Sequence, residues 1–196
     1  MLEQLNASLT LIISQTKQNY HILEMILLII WSVFGLVLIT KGRLLYLGII
    51  PRRLIGLPGI IFAPFLHANF NHIFFNSIPL VVLGNFILID GLNYFIYVTI
   101  AIILQSGILI WCFAKPAIHV GASSLITGYW GILACNIVQN GSVTAIILGV
   151  ISLYYFAGIF FGIFPSKKGV SWEGHLFGLI AGIATNWEMA HGLLHL

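Results

Sequence analysis

The chain has 196 residues, 60% of them hydrophobic and only 7% charged, with a formal net charge of +3 and a mean hydropathy of +1.06. Soluble domains carry about 25% charged residues, so this composition excludes a water-covered globule and makes lipid the main solvent. The small positive charge then concerns loops and lipid headgroups, and no basic patch interleaved with aromatics points to nucleic acid.

Long unbroken apolar runs favour helices over a β-barrel, whose strands would alternate in segments of about 10 residues. Cys112 and Cys135 both lie in apolar runs and read as small packing residues, not as a disulfide framework. The N-terminal stretch lacks the basic start and clean apolar core of a removable signal.

In chain order, residues 1–20 are mixed; a short amphipathic helix at the interface is one reading of them. The first span is expected over 22–40, closed by Lys41 and Arg43. Residues 41–68 follow as a loop whose apolar middle is broken by Pro51, Pro58 and Pro64 and carries Arg52 and Arg53. Proline forbids regular helix there, so the loop dips into the membrane only where protein or interface satisfies its backbone. Further spans are expected over 69–89, 94–114, 123–139, 143–164 and 175–192, separated by Asp90-Gly91, Lys115-Pro116, Asn140-Gly141 and the polar Pro165–Gly169 loop. The expectation is one all-α polytopic domain over residues 1–196, with six transmembrane helices.

Successive spans alternate direction, so the second, fourth and sixth enter from the same side. Each carries a polar cluster in its entering half: His67 to Asn76, Gly121 to Ser124, and Trp172 to His175. At 1.5 Å per residue, Asn76 lies roughly 10 Å below the start of its helix. The clusters therefore share one shallow depth beneath one face.

Each cluster has a plain and a chemical reading. Ser124, Gly128, Gly131 and Cys135 form a stripe of small side chains, the usual device of close helix packing. Gly178 and Gly182 form a matching stripe on the last span. Packing of the two stripes would carry Ser123 towards His175, a side chain able to take its proton. His175 shares the glycine face, and a polar residue within a span is costly enough to suggest function; an interfacial hydrogen bond is the plain alternative. Glu173 precedes the expected helix start and reads as a solvated loop carboxylate, leaving a serine–histidine dyad. His72 and Asn76, one turn apart on one face, are suitable donors to an oxyanion. Zinc on His67, His72 and His175 is the competing reading, although no cysteine or carboxylate stands in that cluster to complete it. A transporter has no support from paired charges or an inverted repeat.

These residues together resemble the bacterial rhomboid intramembrane serine proteases, over roughly Pro64 to Asn186 and in the family's motif order. Gly121-Ala122-Ser123 is similar to the nucleophile motif, His175 with Gly178 and Gly182 to the base helix, and His72 with Asn76 to the oxyanion helix, His67 being its upstream histidine. The resemblance implies a rhomboid-like bundle, with Ser123 as nucleophile and His175 as general base and acid. The Ser123 backbone N–H, His72 and Asn76 would form the oxyanion hole. It implies no cofactor and no metal. The partners implied are membrane lipid and single-span membrane proteins, cut near the membrane border. The implied location is the bacterial cytoplasmic membrane.

Ser124 stands where the family often has glycine, Thr127 where it commonly has an aromatic, and Phe86 to Ile89 where charged residues are often found. The tryptophan–arginine pair common in the first loop has no clear match. These departures motivate a second expectation, a relative that binds transmembrane helices without cleaving them. Orientation stays open: seven of the eight Lys and Arg flank the active face, which the positive-inside rule turns towards the cytoplasm, whereas the resemblance implies an outward-facing site.

Overall fold

The structure, a computed structural model, describes residues 1–164 and 171–192. The expected polar loop from Pro165 to Gly169 lies outside the described residues. Helices occupy every position where a span is expected: α1 (Leu2–Ile39), α3 (Phe70–Leu88), α4 (Leu92–Phe113), α5 (Ser123–Gln139), α6 (Val143–Tyr155) and α8 (Trp172–Ala190). A single helical turn, α2 (Gly59–Phe62), lies in the first loop, and a short α7 (Ala157–Phe161) follows α6. Three helices, α1, α3 and α4, are long and apolar enough to cross a membrane. Six helices thus lie where six spans are expected, of which these three meet the length and hydropathy of a crossing; α6, at 13 residues, falls short of the roughly 20 that a crossing takes.

Three helix bounds differ from the expected spans. Helix α1 does not begin near residue 22 but at Leu2, and runs 38 residues without a break. Tertiary bonds hold its first half: Ser8 Oγ accepts from Thr144 Oγ1 at 3.0 Å, Asn85 Nδ2 donates to Thr16 Oγ1 at 2.8 Å, and Asn19 Nδ2 donates to the Leu88 carbonyl at 3.3 Å. The fifth span is not one helix over 143–164, because it breaks at Phe156 between α6 and α7. The last helix starts at Trp172 and not at His175, since the Ser171 side chain caps it by accepting from the Gly174 N–H.

Lipid-facing and core-facing surfaces are both apolar. On α4, Ile96, Ile100, Leu104 and Ile108 are exposed at a four-residue spacing, while Phe95, Val98, Ile102 and Ile110 are buried. Such a helix is apolar all round because both of its environments are.

What places the polar clusters is the contact of α5 with α8. A side chain at Gly178 would collide with the Ser124 carbonyl and Thr127 Oγ1, and one at Gly182 would collide with the Gly128 carbonyl and lie 2.8 Å from Gly128 Cα. Gly128 turns its own open side to Ile102 of α4, whose Cδ1 an added Cβ would approach to 2.9 Å. The small stripes of the two helices are thus seated on one another as expected.

Gly182→Ala is therefore expected to lower stability in detergent micelles by about 1–3 kcal/mol, because backbone atoms receive the new methyl. Gly35→Ala, within α1 and with nothing within 4 Å of the added Cβ, is expected to be neutral or to stabilise by up to ~1 kcal/mol. Thermal unfolding of the two variants side by side checks the contrast.

Candidate active site

Ser123 is the first residue of α5, so its N–H belongs to the helix start, where backbone donors have no intrahelical acceptor. The turn before it is held from two sides. Ile49 and His119 form an isolated antiparallel pair, N–H to carbonyl at 3.0 and 2.9 Å, and the Gly121 N–H donates to the Ala63 carbonyl at 2.9 Å. The first loop is in turn fastened to the end of α4. Arg52, at φ +58, donates through Nη1 to the carbonyls of Cys112 (3.1 Å) and Ala114 (2.9 Å), and Trp111 Nε1 donates to the Arg53 carbonyl at 2.9 Å. The guanidinium thus satisfies carbonyls that the end of a helix leaves open.

Gly121 is where the turn before Ser123 meets the two α3 side chains expected as oxyanion donors. Its φ of +112 suits glycine, and a Cβ there would collide with His72 Nε2 and lie 3.4 Å from Asn76 Nδ2. Both side chains therefore reach the turn two residues ahead of Ser123. Asn69 sets their helix, accepting the His72 N–H at 2.9 Å as the N-cap of α3. Asn76 Nδ2 is buried without a hydrogen-bond partner among the described residues, a donor with nothing yet to bind.

On the other flank, a Cβ at Gly174 would lie 3.9 Å from Ser123 Oγ, so the serine rests against the first turn of α8, beside the residue preceding His175. No hydrogen bond joins Ser123 and His175 among the described residues, and His175 Nδ1 is buried without a partner there. Catalytic pairs commonly tighten only when substrate binds. The imidazole faces Gly162 after α7, where any side chain would strike His175 Nδ1. Ser123, His72, Asn76 and His175 are each half-buried as residues, while Asn76 Nδ2 and His175 Nδ1 themselves are covered. A cavity of about 30 Å3 lies against Ser123 and is lined also by Ser106, His119, Ser124 and Ser171, room for about two waters with polar partners.

Glu173 departs from the expectation drawn for it, and Thr127 takes part in the contact of α5 with α8. The Thr127 hydroxyl donates back to the Ser123 and Ser124 carbonyls at 2.9 and 3.0 Å, and lies against Gly178. A larger aromatic there would hold α8 away, so the substitution belongs to the helix seam. Glu173 is not a solvated loop carboxylate: it sits in the first turn of α8, 6% exposed, with Oε1 buried. Gly162, Gly174, His119 and Ser171 were not legible as site residues, because each matters through a contact distant in sequence.

His67, just ahead of α3, is fully buried, edge-to-face on His72 with ring centroids 5.0 Å apart. Among the described residues no three His, Cys, Asp or Glu side chains converge as a metal site requires. Burial first, and the neighbouring His72 second, lower the His67 pKa from 6.5 to about 4.

With this geometry in place, the class is a helical membrane protein with serine, histidine and amide side chains gathered at one end of its bundle. Residues 56–191 match the model of the Rhomboid domain. The chain is 36% identical over 186 residues to uncharacterized proteins of Mycobacterium bovis and Mycobacterium tuberculosis, covering 82% of this chain and 77% of each relative. A Mycobacterium leprae relative is 35% identical over 186 residues, covering 82% of this chain and 73% of its own length. The chain belongs to the rhomboid family and is a multi-pass membrane protein.

The lowered His67 pKa has a consequence for stability. The unfolded chain binds this proton near pH 6.5 and the folded chain only near pH 4, so stability contributed at neutral pH is lost as pH falls through that window. The loss reaches about 3 kcal/mol. His67→Phe is expected to flatten this part of the pH–stability profile, read from unfolding midpoints between pH 7 and 4.

Proposed function

We propose that the protein is an intramembrane serine endopeptidase that cleaves single-span membrane proteins near the membrane border, in a bacterial cytoplasmic membrane. The observation that carries this reading is the seating of His72 Nε2 and Asn76 Nδ2 against Gly121, which aims two donors at the turn presenting Ser123. Family membership supports it, since rhomboids are generally serine proteases.

In this mechanism Ser123 Oγ attacks the scissile carbonyl carbon while His175 takes the hydroxyl proton. The carbonyl oxygen becomes an oxyanion held by the Ser123 N–H, His72 and Asn76. Collapse breaks the C–N bond, and His175 returns the proton to the departing amine. Water then attacks the acyl-enzyme, giving its proton to His175; collapse breaks the bond from the carbonyl carbon to Ser123 Oγ, His175 returns the proton to that oxygen, and the second product leaves as a carboxylic acid. The cavity beside Ser123 supports a supply of water for that second half. Lipid surrounds the bundle, and the substrate helix must unwind to enter. No cofactor or metal is required.

A second reading, helix binding without cleavage, draws on Ser124, whose side chain lines the same cavity and adds a hydroxyl beside the nucleophile. A serine-directed phosphonate separates the two readings. Labelling of wild type that disappears in Ser123→Ala and persists in Ser124→Ala supports the enzyme; a folded wild type that stays unlabelled supports the binder.

For cleavage of a transmembrane substrate in micelles, Ser123→Ala and His175→Ala are expected to abolish turnover without unfolding the protein. Asn76→Ala is expected to lower kcat by about 100- to 1,000-fold. Turnover unchanged in Ser123→Ala would remove the assignment.

A further inference from the structure

The function above uses Gly121 to Gly128 and leaves His119, four residues before the serine, without a role. We propose that His119 is a positioning residue. Through the Ser171 hydroxyl it sets the start of α8, and with it His175, relative to the turn bearing Ser123. The inference rests on the protease reading for its effect on rate, but not for its effect on the helix.

His119 is 7% exposed, and both ring nitrogens are engaged: Nε2 lies 3.0 Å from the Lys115 carbonyl and Nδ1 lies 2.8 Å from Ser171 Oγ. A carbonyl can only accept, so the proton of the neutral ring sits on Nε2. Nδ1 is then bare and accepts from the Ser171 O–H. That fixes the direction of the hydroxyl and leaves its lone pairs to the Gly174 N–H, 3.3 Å away. A relay of four groups results, running from the Lys115 carbonyl through His119 and Ser171 to the amide of Gly174. That last residue is the one lying against Ser123 Oγ.

The anchor of the relay is itself tethered. His119 pairs through both backbone groups with Ile49, and a side chain at Gly48 would lie 2.7 Å from the His119 carbonyl. An apolar residue could fill the volume of the ring, but the Ser171 hydroxyl would be free to turn and α8 would lose a fixed cap. A satisfied polar network of this kind holds one geometry. Displacement of a reacting group by about 1 Å can cost about 100-fold in rate.

The test uses the full chain in micelles with His119→Phe, His119→Asn, Ser171→Ala and the His119→Phe/Ser171→Ala double variant. Asparagine keeps an acceptor close to the position of Nδ1. Two readouts are taken: kcat and KM on a transmembrane substrate, and hydrogen exchange at the Gly174 amide. His119→Phe is expected to lower kcat about 10- to 100-fold with KM within about twofold. It is also expected to speed Gly174 exchange about fivefold, as loss of a cap does. Asparagine should restore most of kcat, and the double variant should fall no further than the worse single one. A kcat unchanged in His119→Phe, or asparagine no better than phenylalanine, overturns the inference. If His119→Phe fails to fold, Ser171→Ala breaks the same link from the other end and is judged by the same criteria. If wild type neither cleaves nor takes the phosphonate, the protease reading fails by itself. Gly174 exchange then decides the positioning claim: faster in His119→Phe sustains it, unchanged overturns it.

Discussion

The bundle depends on how closely α8 approaches α5. Two glycines one turn apart, Gly178 and Gly182, let the backbone of one helix rest on Ser124, Thr127 and Gly128 of the other. In lipid no hydrophobic effect drives helices together, so close packing of small residues must supply the attraction. The same contact bears on the proposed chemistry, because Ser123 and His175 lie just ahead of the seam on their respective helices. A methyl group in the seam would disturb both fold and site.

The other half of the site is built by the first loop. Its prolines and glycines prevent a long helix, yet its backbone is not left unsatisfied: it pairs with His119, accepts from Gly121 and closes the end of α4 through Arg52. This loop therefore clamps the turn before Ser123 against α3, whose start is capped by Asn69 and whose His72 and Asn76 face that turn. The loop acts as a strut that determines where the Ser123 turn can sit.

Much of this was legible in the sequence because it obeys a period. Glycines four apart on a span, and His72 with Asn76 four apart on another, declare a shared face wherever an α-helix forms. Alternating helix direction then sets all three clusters beneath one surface. What the pattern could not reveal were contacts between distant residues. The polar first half of α1 is helical because Ser8, Thr16 and Asn19 find partners on α6 and α3. The early start of α8, and with it the burial of Glu173, follows from the Ser171 cap. Gly162 falls inside the expected fifth span and reads as an ordinary packing glycine until the His175 ring is seen against it.

The central claim is that one carbonyl can be met at once by the serine that opens α5 and by the side chains of α3 facing Gly121. The most direct measurement is an experimental structure of the covalent phosphonate adduct. The account predicts phosphorus bonded to Ser123 Oγ and the phosphonyl oxygen within hydrogen-bonding distance of the Ser123 N–H and of His72 or Asn76. Phosphorus on Ser124, or a phosphonyl oxygen turned away from α3, would contradict it.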